Sequence, residues 1–271
     1  MKKQLNPISL SVIIPALNEM NNIQDSVMST LKAFEVYDIN GDIIVINDGS
    51  TDETPLIVRN IMKKNRRVKL INHSRPMGIG YSFFDGAGQS TKDAVIMIPG
   101  DNENNPEDAL AYLNLLKQVD IVVPFIHNIE VRKRGRRILS SLYRLIINIT
   151  FGINLNYTNG TVLYRRCILN GVTLKSWGFF YQAELLIKLI RKGYMFAEVP
   201  NFLSTRSSGK SKATTFKSLF RITKSYLNLA FEIHVKRIEG KKNYFNLIRD
   251  SISYGKSIRN SKAIHTTEYN S

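Results

Sequence analysis

The sequence predicts an α/β fold, a mostly parallel sheet flanked by helices, on three observations. Short apolar runs punctuate the first 125 residues at intervals of roughly 25. Segments with apolar residues at helical spacing lie between those runs, which makes the order strand–helix–strand and the crossovers right-handed. Polar and acidic residues gather just after the runs, on the carboxyl side where open α/β sheets hold ligands.

The elements follow in order. Leu10 to Pro15 is a buried strand ended by proline, and Ile23, Val27, Leu31 and Phe34 then mark one helical face. Asp42 to Asn47 is a second strand closed by Asp48-Gly49-Ser50. Thr51-Asp52-Glu53 places acid at the start of the next helix, where the dipole favours it. Val68 to Asn72, Ala94 to Pro99 and Asp120 to Pro124 supply three more strands, with helices over Ile79 to Gln89 and Pro106 to Lys117. Beyond Pro124 the rhythm breaks. Asn128 to Arg137 is a charged connector, Ile138 to Thr150 an amphipathic helix, Thr161 to Tyr164 a strand, and Phe180 to Lys192 a helix stopped by Gly193. Two strands, Tyr194 to Val199 and Asn201 to Arg206, are expected on either side of Pro200. A polar loop (207–214) precedes a helix from Phe216 to Arg237, and the remainder reads as a loosely held tail. The organisation is thus one domain over 1–215, in halves 1–125 and 126–215, then an amphipathic helix (216–240) and a basic tail (241–271).

Composition excludes several classes. With 271 residues, 43% hydrophobic and 22% charged, the chain is neither disordered nor fibrous. A single cysteine, Cys167, rules out a disulfide framework or a cysteine-based zinc site, and the four histidines have no metal-binding spacing. The cysteine usage, with no secretory signal and no confident transmembrane stretch, points to a cytoplasmic chain, peripheral on the inner face of the membrane. Net charge is +16, unevenly spread: residues 1–125 carry 12 basic and 15 acidic side chains, whereas 200–271 carry 14 and 4. A basic half predicts an anionic partner, either nucleic acid, a phosphorylated substrate or an anionic membrane surface. Nucleic acid would explain the charge but not the acidic strand ends, so none is expected.

Those strand ends carry the chemistry. Pro15, Ala16, Asn18 and Glu19 follow the first strand, Asp48 the second, and Asp101, Asn102 and Glu103 the fourth. A carboxylate after the second strand can accept hydrogen bonds from a base or ribose. Two carboxylates two residues apart suit a hard divalent cation bridging diphosphate oxygens. Each turn alone is also ordinary turn and cap chemistry. Gly78-Ile79-Gly80 lacks the third glycine of a dinucleotide fingerprint and reads as a close-packed helix start.

Taken together, Ser11 to Glu19 (SVIIPALNE) and Val45 to Thr54 (VINDGSTDET) resemble the opening signatures of family 2 glycosyltransferases with the GT-A fold. Arg75, Gly78, Gly86, Asp101 and Pro106-Glu107 continue the likeness. Asn159 to Arg166 (NGTVLYRR), Gln182-Ala183-Glu184, Glu198-Val199-Pro200 and Arg206 to Lys212 (RSSGKSK) are similar to the dolichol-phosphate and polyprenyl-phosphate mannosyltransferase branch.

The resemblance implies a sugar transferred with inversion from a nucleotide diphosphate sugar to a polyprenyl phosphate at the membrane surface, or alternatively to a hydroxyl of a growing glycan. It places Pro15, Ala16, Glu19 and Asp48 at the nucleotide. Asp101 and Glu103 fall at a Mg²⁺ or Mn²⁺ site whose first aspartate is here replaced by Pro99. It puts Arg137, Ser141 and Lys212 at the acceptor phosphate, and Asp101, Glu184 and Arg206 at the reaction. A phosphate nucleophile is already anionic, so Glu184 is needed as a base only for the hydroxyl acceptor. The 216–237 helix either lies on the membrane or packs on the domain, since amphipathicity alone does not decide between them.

Overall fold

The computed structural model describes residues 7–128, 134–201, 216–235 and 247–257. Seven strands form one sheet in the order β3-β2-β1-β4-β6-β5-β7: β1 Leu10–Ala16, β2 Gly41–Asn47, β3 Val68–Asn72, β4 Ala94–Met97, β5 Ile121–Ile126, β6 Leu163–Arg165 and β7 Phe196–Asn201. Helices α1 (Ile23–Val36), α2 (Thr54–Lys64) and α3 (Ile79–Gln89) connect the first four strands, and every pairing among those strands is parallel. α4 (Pro106–Leu110), α5 (Arg134–Phe151), α6 (Tyr181–Lys192) and α7 (Phe216–His234) complete the chain order.

Continuous apolar runs make strands here because both faces of the sheet are covered. Ile13 of β1 and Ile44 and Ile46 of β2 enter the same core as Phe83 of α3 and Leu185 and Leu189 of α6. Their neighbours Val12, Ile14, Ile43 and Val45 face the opposite core, with Val27 and Phe34 of α1. The period of two thus feeds two hydrophobic layers, and each fully buried isoleucine contributes about 1.5–3 kcal/mol. Helix ends follow their signals: Asn105 accepts a hydrogen bond from Glu107 N at 3.1 Å to open α4, and Gly193 closes α6 at φ 99°.

Several expectations are corrected. Pro200 does not split two strands: β7 runs through it, because among the described residues β7 pairs only with β5, and proline's missing N–H costs nothing on an edge strand. The second expected strand falls largely on 202–206, outside the described residues. β6 lies antiparallel between β4 and β5, so the sheet is mixed at that end. The helix expected over 106–117 ends at Leu110, and a 3-10 turn follows over Leu113–Lys117. α5 begins at Arg134, inside the expected connector.

The C-terminal segment is tied down where it is described. Leu247 joins the main core. The buried Asp120 carboxylate accepts from Ile252 N at 2.7 Å and Ser253 N at 3.0 Å, and also from the Ser253 hydroxyl. Two N–H groups at the start of a helical turn thereby find an anion, which holds 247–257 against the start of β5.

Candidate functional site

Adjacent strands put their carboxyl ends on one rim, and hydrogen bonds stitch the loops there. Asp48 N donates to Ala16 O at 2.9 Å, and Gly100 N to Pro15 O at 3.0 Å. Thr51 N donates to the Asn18 side chain at 2.8 Å, and Glu19 N to Thr54 Oγ1 at 2.9 Å. Asn18 and Asn102 adopt left-handed backbone at φ 56° and 55°, conformations asparagine tolerates in tight loops. Pro15, Ala16, Glu19, Asp48 and Asp101 therefore meet on this rim. Asp101 Oδ1 accepts from Glu103 N at 3.2 Å, and the Glu103 side chain is exposed beside it.

Asp48 is buried, and its oxygens are heavily used. Oδ1 accepts from Met77 N at 2.8 Å and lies 2.7 Å from His73 Nδ1, while Oδ2 accepts from Gly78 N at 3.0 Å. A carboxylate has about four acceptor positions, so Asp48 retains roughly one for a ligand, not the pair expected of a base-reading aspartate. His73 Nε2 lies 3.2 Å from Asp85 Oδ2. Burial opposes charging His73, but the hydrogen bonds and charges of Asp48 and Asp85 outweigh it and raise its pKa above the ordinary value. His73 also meets the Tyr81 ring edge-on at 5.3 Å, and Tyr81 meets Trp177 at 5.7 Å.

Gly78 and Gly80 act as the close-packed helix start their spacing suggests. Gly78 sits at φ 101°, and a Cβ there would lie 2.7 Å from Trp177 O. At Gly80 it would lie 2.6 Å from Tyr181 Cβ, and Gly80 N donates to Trp177 O at 2.9 Å.

Glu184, expected at the reaction, is placed in a buried network that ties elements of the fold together. It is 1% exposed, and its carboxylate accepts from Lys175 N and Ser176 N, each at 2.9 Å, and pairs with Lys188 Nζ at 3.1 Å. Lys188 donates to Thr173 O at 2.8 Å and faces Glu232 of α7 at 3.5 Å, and Lys175 reaches the same Glu232 at 2.7 Å. Burial opposes ionising Glu232, but Lys175 and Lys188 prevail and lower its pKa. This buried network anchors the loop that carries Trp177 to both α6 and α7, and three donors occupy the Glu184 carboxylate.

Beside Ile126 at the carboxyl end of β5, a small polar pocket is lined by Ser140, Ser141, Arg144, Asn156, Thr158 and Asn159, among others. Burial pushes the Tyr143 phenol beside it up to about 12, against a hydrogen bond with Thr158, so it stays protonated. Arg144 Nη1 donates to Asn156 Oδ1 at 3.3 Å, and Asn156 is held by Glu198 at 2.7 and 2.9 Å. Ser141, one of the residues expected at the acceptor, lines this pocket. The half-buried Arg137 lies one turn away on α5, and Arg206 and Lys212 fall outside the described residues.

Sequence reasoning missed His73, Asp85, Trp177 and Arg144. His73 was visible one residue past a strand end, but its carboxylate partners lie 25 and 12 residues away. Arg144 was visible three residues beyond Ser141 on one helical face.

Among the described residues no group of three or more His, Cys, Asp or Glu side chains could hold a metal. Asp101 and Glu103 fit a hard cation only as a two-carboxylate set completed by water and diphosphate oxygens, the usual manner for Mg²⁺. No described helix is long and apolar enough to cross a membrane.

The comparisons with known proteins agree with this architecture. The chain is 33% identical over 100 residues to an uncharacterized glycosyltransferase of Synechocystis sp., covering 37% of this chain and 31% of that one. It is 26% identical over 166 residues to the undecaprenyl-phosphate 4-deoxy-4-formamido-L-arabinose transferase of Pseudomonas syringae, covering 60% and 49%. A dolichyl-phosphate beta-glucosyltransferase of Trichomonas vaginalis is 32% identical over 94 residues, covering 33% and 28%. The matches thus span less than half the length of each relative. In fold it is similar to glucosyl-3-phosphoglycerate synthase of Mycobacterium tuberculosis, solved with UDP, at TM-score 0.61 and 18% identity over 83% of this chain and 79% of that one. The same enzyme with Mn²⁺, UDP and product gives TM-score 0.61 at 20% identity, over 82% and 80%. The shared architecture is the GT-A fold. The model of glycosyl transferase family 2 matches residues 11–172, more than half the chain and the whole of the rim, and the protein belongs to that family of glycosyltransferases.

Proposed function

We propose that this glycosyltransferase moves a sugar, with inversion, from a nucleotide diphosphate sugar to a polyprenyl phosphate at an anionic membrane surface. One observation carries the reading: the Ser141–Arg144 pocket on α5 opens beside a helix pair that presents apolar side chains outward. On α5, Ile138, Leu142, Leu145 and Ile149 are exposed, Ile149 at 73%; on α7, Phe220 is 72% exposed, and Leu219, Leu227 and Phe231 are exposed as well. α5 carries four arginines and no acid, and the lone acid of α7, Glu232, is buried. A polar, arginine-bearing pocket beside an apolar, basic face suits a phosphate head on a lipid tail among anionic headgroups. The names of the Pseudomonas and Trichomonas relatives carry the same acceptor class.

In this reading the rim holds the donor, with Pro15, Ala16, Glu19 and Asp48 around the nucleotide. Asp101 and Glu103 would hold Mg²⁺ or Mn²⁺, which when bound offsets charge on the departing diphosphate. Arg137, Ser141 and Arg144 hold the lipid phosphate, and Arg206 and Lys212 supply further cations for the phosphates, as the family resemblance implies. One phosphate oxygen bonds to the anomeric carbon as the bond to the diphosphate oxygen breaks, and that oxygen keeps the electron pair. No proton moves, which agrees with the commitment of Glu184 to its own loop. The site of action is the cytoplasmic face of the membrane, with the catalytic domain over 1–215.

The test is transfer of labelled sugar from a panel of UDP- and GDP-sugars to a short-chain polyprenyl phosphate, to the matching prenol, and to glycan acceptors. Product is expected with the phosphate alone. Transfer to a glycan hydroxyl with none to the phosphate overturns the reading in favour of the glycan acceptor.

A further inference from the structure

His73 is 8% exposed in its side chain and has a carboxylate on each ring nitrogen, Asp48 at 2.7 Å and Asp85 at 3.2 Å. A neutral imidazole carries one N–H, so it can donate to only one of these oxygens and must set a lone pair against the other. The geometry suits the imidazolium, which donates to both. The charged groups facing the ring are Asp48 from the end of β2 and Asp85 from α3, and Tyr81 of α3 presents its ring edge. Among the described residues no lysine or arginine forms an ion pair with either carboxylate, and His73 is their counter-charge.

The two carboxylates are not equivalent. Asp48 is occupied by Met77 N, Gly78 N and His73, and so fixes the turn that opens α3. Asp85 is 29% exposed, and His73 is its one hydrogen-bond partner among the described residues. With His73 charged the trio carries −1; with His73 neutral it carries −2, on the rim read as the binding place of an anionic nucleoside diphosphate.

Resting on that reading of the rim, we infer that His73 is a positioning residue of the donor site. Its imidazolium locks the Asp48 turn, holds the exposed Asp85 carboxylate toward the donor, and makes nucleotide binding proton-linked. The sign follows from the charges. An incoming anion favours the protonated ring, so binding takes up a proton near the His73 pKa and weakens as pH rises through it. The elevated pKa places that change above the ordinary histidine range of about 6.5.

Calorimetry with UDP and with GDP, each with Mg²⁺, tests this from pH 6 to 8.5 in buffers of differing ionisation enthalpy. Wild-type affinity is expected to fall about tenfold across the range, the effect of roughly one pKa unit of coupling. His73→Gln keeps a hydrogen-bonding side chain but not the charge; it should bind weakly at every pH and lose the proton uptake beyond that of the nucleotide itself. Asp85→Asn removes one carboxylate from the ring, so the fall should move to lower pH. The same comparison can be followed through the His73 imidazole resonances by NMR, which needs only the wild type and Asp85→Asn should His73→Gln fail to fold. Matching pH profiles in wild type and His73→Gln, or a His73 titration that neither nucleotide nor Asp85→Asn shifts, overturns the inference while the donor site stands. Failure of the wild-type chain to bind either nucleotide overturns the donor-site reading, and the inference with it.

Discussion

At the rim, Asp101 and Glu103 sit on a loop that stays partly or fully exposed; in the α6–α7 region acidic side chains are sunk into the protein. Asp101 and Glu103 sit at a strand end with a single short turn between them. Glu184 and Glu232 instead face two lysines in a network where Glu184 and Lys188 are each 1% exposed. The same residue types therefore do opposite work. A carboxylate that keeps contact with water can exchange that water for a ligand. One that has already traded its water for N–H groups and an ammonium holds segments together.

That contrast can be broken by mutation, and the largest expected effect is on the buried side. Glu184→Ala strips the partner from a buried lysine and frees two loop N–H groups, so stability should drop by about 3–5 kcal/mol in denaturant unfolding. Glu184→Gln should lose less, and its turnover per folded molecule should stay near wild type. An unchanged unfolding midpoint with turnover abolished would make Glu184 a reagent after all and erase the contrast.

At the rim the order reverses. Asp101→Ala should leave the unfolding midpoint nearly unchanged and cut turnover by roughly 10²–10³-fold, the scale on which removing one group that stabilises developing charge acts. Glu103→Gln should raise the Mn²⁺ concentration needed for half-maximal rate. Full activity in excess chelator would show that Pro99 marks a metal-independent site.

The Ser141–Arg144 pocket sharpens the comparison, because its cation is exposed yet hydrogen-bonded to Asn156. Arg144→Ala removes a charge-assisted contact of about 1.5–3 kcal/mol, so kcat/KM for the lipid phosphate should fall roughly 10–100-fold with nucleotide affinity intact. Equal losses with the phosphate and the prenol acceptors would take the phosphate away from Arg144.

The smallest effects belong to the apolar face. Leu142→Ser and Phe220→Ser should each weaken flotation with vesicles containing phosphatidylglycerol by about fivefold, or about 1 kcal/mol for a partly inserted side chain. Neither should alter transfer to a short-chain soluble acceptor. Binding to wholly neutral vesicles with equal strength, or dimerisation in light scattering abolished by both changes, would assign the face to another partner.

α7 also shows why amphipathicity alone left two readings open. Leu229 and Ile233 are buried and Tyr226 bonds to Thr150 on α5 at 2.7 Å, yet Phe220, Leu227 and Phe231 stay exposed. The helix packs on the domain with one stripe and leaves a second apolar stripe facing outward.

What the sequence determined by itself is local or periodic. Both faces of a covered parallel sheet must be apolar, so β1, β2 and β4 announce themselves as unbroken hydrophobic runs. Strand ends in such a sheet share a rim, so Pro15, Asp48 and Asp101 could be grouped before any contact was known. Gly193 and Pro106 marked helix ends through backbone preferences that need no tertiary partner. The tertiary structure decided whatever depends on distant partners. The antiparallel insertion of β6, the passage of β7 through Pro200 on an edge strand, and the capture of 251–253 by Asp120 are set by neighbours far along the chain. Glu184 and His73 are the sharpest cases, because a side chain's charge state and availability depend on which donors and carboxylates surround it. Those partners, Ser176 and Lys188 for one, Asp48 and Asp85 for the other, come together only when the chain folds.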